Sequence, residues 1–422
     1  MNRDRTVTSR QNKVTHQDLL VVGGGAAGFF GAITAAESNP SLKVTILEKG
    51  SDVLSKVRIS GGGRCNVTHA CFDPADLVKH YPRGFRELLG PFHRWQPSDT
   101  VAWFESRGVP LKTESDGRMF PKSDQSASIV NCLLNSATSS GISILTRKTV
   151  DTVDRQENGT FEVHTQDEQI FQARTILWAT GGLQPGPSKD LLIRLGHHIV
   201  DPIPSLFTFQ IKHPLIQGLQ GLSIDKVEAS LQGTDIRCEG PLLITHWGLS
   251  GPAILRLSAW AAREIQATPA PFHCNIDWIP HVNDMTASLN SFKQEHINKQ
   301  LHTLSPFGLP KRLWLRMLDL SGLEQRMTWR QLNTKQLKAF GDLLKKTNFQ
   351  VSGKSRNKEE FVTCGGIDLK EIRFKAMESK RVPGLYFAGE VLDIDAETGG
   401  FNFQAAWTTG HLAGTAIADS AR

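Results

Sequence analysis

The sequence predicts an α/β fold: a parallel sheet with a glycine loop, interrupted late in the chain by a β-rich module and a small helical module. Three observations predict it. The apolar run "DLLVV" (18–22) leads into "GGGAAGFFGAITAAE", where G-x-G-x-x-G spacing falls at a change from strand to helix periodicity. A second apolar run, "KVTILEKG", ends on an acid, Glu48. From about residue 203 the texture changes to short alternating runs joined by turn residues, then to amphipathic helical spacing.

A chain of 422 residues exceeds one ordinary core and calls for two or three domains. No apolar run approaches the roughly 18–20 residues that span a bilayer, so no membrane partner is expected. Residues 1–16 are polar, lack an apolar stretch, and read as a disordered tail rather than a secretory leader. Six cysteines without framework spacing fit a reducing, cytoplasmic setting. The net charge of +6 would attract anionic ligands. No long basic block interleaved with aromatics accompanies it, so a small-molecule substrate is expected and nucleic acid is not.

The elements follow in order. "DLLVV" reads as a strand buried on both faces. Gly23 permits the tight turn, Gly25 lets a pyrophosphate reach the backbone, and Gly28 lets helix and strand pack closely. Ala26 and Ala27 open the helix whose N-terminal N–H groups face that pyrophosphate. Glu48 stands twenty residues after Gly28, where an acid meets a ribose hydroxyl, with Lys49 beside it. "KVRISGGGRCN" lies a few residues beyond the same strand end. Gly61, Gly62 and Gly63 would let backbone lie along the ligand, and Arg64 and Asn66 could bond its oxygens. Cys65 reads as a small packed thiol beside the glycines, and Lys56 and Arg58 as nearby positive charge. "TILWATGG" (175–182) is a strand ending in Ala179, Thr180 and Gly181, small enough for the chain to turn beside a ligand. "GLYFAGE" is a last strand with Gly389 and Glu390 at its end. Gly399 and Gly400 then lead through Phe401 and Asn402 into a helix with small residues at Ala405, Ala406, Gly410, Ala413 and Gly414. A dinucleotide is expected at this edge.

Between these segments, 203–213 and 222–238 alternate as antiparallel strands with a turn near Gly233, and "FHCNIDWI" (272–279) alternates again. "THWGLSGPAILRLS" begins a helix with Ser250 as candidate N-cap and Pro252 in its first turn. His246 and Trp247 either line a substrate pocket or sit in the core. Residues 284–304, 310–320 and 334–346 have helical spacing. The expected boundaries are a first cofactor segment 17–190, a β-rich insert 191–282, a helical insert 283–347 acting with it as lid or substrate domain, and a second cofactor segment 348–422. "SGKSRNK" (352–358) reads as a solvated basic turn.

Together "SGGGRCN", "GRMFPKSDQSASIV", "THWGLSGPAILRLS", "TCGGID" and "GEVLDIDAETGGFNFQAAW" resemble the flavoproteins known as NAD(P)/FAD-dependent oxidoreductases. The group includes aminoacetone-oxidase-like enzymes and a bile-acid-reductase branch. The resemblance covers roughly residues 17–420. It implies a glutathione-reductase-like FAD-binding Rossmann domain with the two inserted modules, and FAD as cofactor. In such proteins the acid after the glycine binds the ribitol, and Glu390 holds that position here. The helix near Asn402 would aim its positive end at the flavin N1–C2=O region.

No second dinucleotide loop and no C-x-x-C are present, so any nicotinamide must come directly to the flavin rather than to a domain of its own. "CNVTHAC" fits no standard metal set, and no metal is expected. No residue pair declares itself as acid and base, as befits chemistry the cofactor carries. The expected function is hydride transfer between FAD and a small organic substrate, with NAD(P)H or O₂ as the other partner. A flavin-dependent RNA-modifying or RNA-binding protein, or a low-turnover flavin-bound regulatory protein, are the alternatives.

Overall fold

Five apolar runs pair in parallel, in the order Ser143–Leu145, Val44–Leu47, Val14–Val22, Ile170–Trp178, Leu385–Phe387. The computed structural model describes residues 14–268, 270–354 and 362–422. Leu19, Leu20, Val21, Ile176, Leu177 and Trp178 are fully buried, so both faces of the central strands are covered and the runs carry no polar alternation. The first strand sits in the middle, with its successors on either side. That reversal of order opens a crevice at the carboxyl ends of Val22 and Trp178.

The helices Ala26–Ser38 and Phe401–Ser420 pack backbone against backbone. A Cβ on Gly414 would lie 2.4 Å from the Gly31 carbonyl oxygen. This close approach explains the small residues in both stretches: dispersion attraction between helices grows as their axes approach. On the far side of Ile170–Trp178 the hairpin Val150–Arg155 and Phe161–Thr165 pairs antiparallel. Residues 1–13 of the expected tail lie outside the described residues. Its last three do not belong to a tail, since Val14 to His16 pair with Ile170 to Gln172.

The chain divides into two units, 1–202 with 362–422, and 203–361. The insert therefore begins later and ends later than 191 and 347. Pro187–Arg194 is a helix of the first unit, and a Cβ on Gly365 would touch the Asp201 carbonyl, which ties 201 to 365 within that unit. At the other end Thr347–Val351 pairs with Phe272–Asp277 inside the insert's own sheet. Part of the basic turn 352–358 lies outside the described residues.

Nor do a β module and a helical module each have their own core. Leu289, Leu313, Trp314, Leu337 and Phe340 from the helices share one apolar cluster with Ile276 and Phe349 from the strands. The Trp278 indole N–H donates to Thr347 Oγ1 at 2.7 Å, and the Trp314 indole to the Leu301 carbonyl at 2.8 Å, so burying these rings strands no polar atom. Each such ring contributes at most about 4–6 kcal/mol of apolar burial. The helix after "THWGLSG" is Pro252–Trp260, capped at Gly251 and not Ser250. Gly251 has φ +91°, and a Cβ there would meet the Leu243 nitrogen and Pro241 oxygen at 2.9 Å, whereas the Ser250 hydroxyl is engaged with Thr208.

Charge is divided unevenly between the units. Residues 203–361 hold 19 Lys and Arg against 13 Asp and Glu, while the rest of the chain holds 29 against 29. The whole excess of +6 thus belongs to the insert. Among the described residues no helix is long and apolar enough to cross a membrane.

Candidate functional site

Segments far apart in sequence meet at the carboxyl edge of the parallel sheet. Gly23 is in the left-handed half of conformational space (φ +113°), and a Cβ on it would lie 2.4 Å from the Ala179 carbonyl oxygen, so the glycine loop and the Ala179–Gly181 strand end touch through backbone. The Ala179 N–H donates to the Val22 carbonyl at 2.8 Å. Gly28 is closed in by the Gly23 carbonyl at 2.1 Å from its hypothetical Cβ, while Gly25 has no atom within 4 Å. Glu48 accepts from the Gly24 N–H at 2.8 Å and the Gly50 N–H at 2.7 Å, which fixes its carboxylate beside the loop. Lys49 is exposed.

The "SGGGRCN" stretch is a left-handed turn. Gly61, Gly62 and Gly63 have φ of +58°, +68° and +83°, a run that residues with a Cβ strongly disfavour. Gly61 packs on Asn66 and Phe120, whereas Gly62 and Gly63 face open space. Asn66 ties the turn to the C-terminal motif: its amide, oxygen toward the donor, accepts from the Gly400 N–H at 3.0 Å and donates to the Thr68 carbonyl at 3.0 Å. Lys56 does the same from the other end, with its ammonium 2.6 Å from Glu390. The second Glu390 oxygen accepts from the Thr363 N–H at 2.8 Å. Gly181 and Gly389 complete the edge: the first lies against Glu390, and a Cβ on the second would press the Ala27 methyl at 2.8 Å.

Arg64, Phe401 and Asn402 have side-chain partners within the protein. The Arg64 guanidinium pairs with Glu114 at 2.7 Å and Asp124 at 3.5 Å, and lies 4.0 Å over the Phe120 ring. Glu114 in particular, through its hydrogen bond, raises the Arg64 pKa above its ordinary value, so the cation anchors the turn. The Phe401 ring is buried in a stack, 4.6 Å from His69 and 4.1 Å from His80. The Asn402 amide braces the preceding loop, accepting from the Ala396 N–H at 3.0 Å and donating to its carbonyl at 3.1 Å.

Cys65 is fully buried, and burial pushes its thiol up to about 12, with the Ser60 hydroxyl offsetting part of that. It is a packed thiol and no nucleophile. In native protein at pH 8, iodoacetamide should leave Cys65 unmodified, with full labelling after unfolding, read by peptide mass spectrometry. Labelling of Cys65 in the native state would contradict the packing described.

Sequence reasoning missed the partners that hold this edge in place, among them Thr363, Tyr81, Arg83, Asp395 and Gln404. The Tyr81 hydroxyl donates to the Phe401 carbonyl at 2.6 Å, and Gln404, fully buried, accepts from Thr68 Oγ1 at 2.6 Å. The run of acids in "GEVLDIDAET", too polar for an ordinary buried loop, was the available signal for Asp395.

The geometry fits a dinucleotide such as FAD. The space beside Gly25, Gly62 and Gly63 is open where a ligand would lie. Both helix N-termini that face the edge, at Ala26 and Phe401, lack a side-chain cap, which leaves their N–H groups for an anion or carbonyl oxygen. Comparison with known proteins gives a consistent picture. The chain is 30% identical to the ribosomal RNA dihydrouridine synthase of Escherichia coli, over 93% of this chain and 96% of that one. It is 29% identical to the 3-dehydro-bile acid delta(4,6)-reductase of Clostridium scindens, over 94% and 98%. In fold it is similar to the 3-ketosteroid-delta4-(5alpha)-dehydrogenase of Rhodococcus jostii, with a TM-score of 0.51 and 14% identity over 99% of this chain and 100% of that one. The family described as HI0933-like protein Rossmann domain matches residues 17–416. The chain belongs to the HI0933-like family and is an FAD-dependent oxidoreductase built on a Rossmann-type domain.

Proposed function

We propose that this protein reduces a carbon–carbon double bond conjugated to a carbonyl, and that its substrate is uridine in ribosomal RNA. The observation that carries the reading is the likeness, along nearly the whole of both chains, to a ribosomal RNA dihydrouridine synthase. Uridine has its C5=C6 bond conjugated to the C4 carbonyl. The other relative's name describes the same class of bond in a 3-oxo steroid acid. The excess of positive charge in residues 203–361 suits a polyanionic substrate better than a small neutral one. In this reading the expectation against nucleic acid fails because the charge is spread over a folded unit rather than gathered in one block.

Bound FAD supplies a carrier that takes a hydride from a donor such as NAD(P)H and gives one to carbon. The chain's own part is to hold and orient. The glycine loop and the N-terminus at Ala26 would bind the phosphates, and Glu48, fixed by two N–H groups, would bind ribose hydroxyls. Glu390, steadied by Lys56 and Thr363, would meet the ribitol, and the N-terminus at Phe401 would lend partial positive charge to a flavin carbonyl. In the net reaction the uracil ring gains a hydride at C6 and a proton at C5 while NAD(P)H is oxidised. The setting that goes with this substrate is the cytoplasm, in keeping with six cysteines that form no disulfide.

The test is to incubate the FAD-loaded protein and NAD(P)H with bacterial ribosomal RNA stripped of protein, digest to nucleosides, and look for uridine heavier by two hydrogens. Product that requires both protein and NAD(P)H is the expected result. If RNA stays unchanged while the same preparation reduces a 3-oxo-Δ4 steroid, the small-enone reading, which the bile-acid relative supports, takes its place. Failure with both substrates removes the proposal.

A further inference from the structure

Resting on ribosomal RNA as the substrate, we propose that residues 203–361 carry a surface for an unpaired RNA segment. In it Trp247 stacks against a base, and Lys212, Lys311 and Arg312 hold the neighbouring phosphates. Of the two readings the sequence allows, Trp247 is not the core tryptophan: it is 68% exposed, the most exposed large apolar side chain described. A hydrogen-bonded turn presents it. Thr245 Oγ1 accepts from the Trp247 N–H at 3.3 Å and the Gly248 N–H at 3.2 Å, and the Thr245 N–H donates to the Gly248 carbonyl at 2.8 Å. A turn whose backbone is already ordered spends little further backbone entropy when its exposed indole binds, which suits a stacking platform.

Basic residues stand on the segments that adjoin this turn. Phe209–Gln210 pairs antiparallel with Gly248–Leu249, and the Ile211 N–H continues the ladder to the Trp247 carbonyl at 2.9 Å. That register sets Lys212 opposite His246, and both are exposed. The loop that follows, 213–222, contains no acid and returns beside the same turn, with the Gly221 N–H on the Ile244 carbonyl at 2.9 Å. The helix Lys311–Leu320 lies on this loop: Arg312 donates to the Gly218 carbonyl at 2.6 Å and Arg316 to the Pro214 carbonyl at 3.4 Å. Lys311 and Arg312 occupy the first turn of that helix, where a positive charge opposes the helix dipole. Helix stability therefore gives no reason for them. None of Lys212, Lys311, Arg312 and Arg316 is paired with a carboxylate among the described residues. One protruding indole offers a face to a single unstacked base and none to a base already stacked in a duplex, so the occupant is unpaired RNA.

A labelled oligouridylate is titrated into the full FAD-loaded chain at several salt concentrations, against a fully paired RNA duplex as control. Trp247→Ala should weaken oligouridylate binding about 5- to 150-fold. Lys212→Gln with Lys311→Gln should lower the slope of log affinity against log salt by about 1.4, roughly 0.7 for each phosphate no longer neutralised. FAD content and melting temperature report whether each variant is folded. The surface is refuted if the unmodified protein does not bind the oligouridylate, prefers the duplex, or loses nothing in either variant. Dihydrouridine formation, measured separately, tells two failures apart. RNA reduced by a protein whose variants bind normally leaves the substrate standing and the surface wrong. Binding through Trp247 without reduction leaves the surface standing and the proposed reaction wrong.

Discussion

Gly25→Asp should give a folded, colourless protein. Gly25 is the N-cap of the helix Ala26–Ser38 and has extended backbone (φ −92°, ψ −171°), a conformation open to any residue. No atom lies within 4 Å of the Cβ it would acquire. Aspartate is also a good N-cap, so the apoprotein should melt at or slightly above the temperature of the unmodified apoprotein, a gain of a few tenths of a kcal/mol. The new carboxylate, however, stands where a pyrophosphate has to come. Two like charges about 4 Å apart in an environment of effective dielectric near 20 repel by about 4 kcal/mol, or roughly three decades in Kd. The contrast is Gly28→Val, whose Cβ would meet the Gly23 carbonyl oxygen at 2.1 Å and should prevent folding. Thermal melting without added FAD, with flavin absorbance after desalting, separates the two. A Gly25→Asp protein that stays yellow would mean that this loop does not cradle the phosphates.

The difference between these two glycines also shows what a sequence reveals. The spacing of Gly23, Gly25 and Gly28 and the acid at Glu48 are constraints within one strand–turn–helix–strand unit, and local geometry ties each to its neighbours along the chain. The parallel pairing of the two strands of this unit could be read for the same reason. Arg64 could not, because its partners Glu114 and Asp124 lie 50 and 60 residues away and only the tertiary fold brings them near. The single core of the insert was hidden by a change of periodicity, from alternation to helical spacing, that looks like a boundary and is two sides of one packed layer. Trp247 was ambiguous for another reason. Whether a residue beside a glycine turn points inward or outward depends on strand register, and register is fixed by pairing between strands distant in sequence.

Asp395→Asn should be the most damaging single change outside the glycine loops. Asp395 is fully buried and its carboxylate takes two N–H groups of Arg83, whose side chain is 13% exposed. Burial draws the Arg83 pKa down, and the neighbouring negative charge, Asp395 first, more than restores it, so the charge of this guanidinium is compensated where it is buried. An amide removes the compensating charge and one acceptor at once. Breaking a buried pair in this way costs about 3–5 kcal/mol. The consequence should reach the cofactor edge, because the same two segments clamp each other along their length. The Glu397 N–H donates to the His80 carbonyl at 3.0 Å, Tyr81 to Phe401, and a Cβ on Gly84 would press Ile394 at 2.6 Å. Loosening that clamp frees the loop from Glu390 to Gly400, so FAD retention should fall together with melting temperature. Replacing both partners, Arg83→Met with Asp395→Leu, removes both charges of the pair and should recover much of the melting temperature. Recovery of stability without recovery of flavin would assign the pair a positioning role at the cofactor edge. A single Asp395→Asn variant that melts like the unmodified protein would show that the pair contributes little to either.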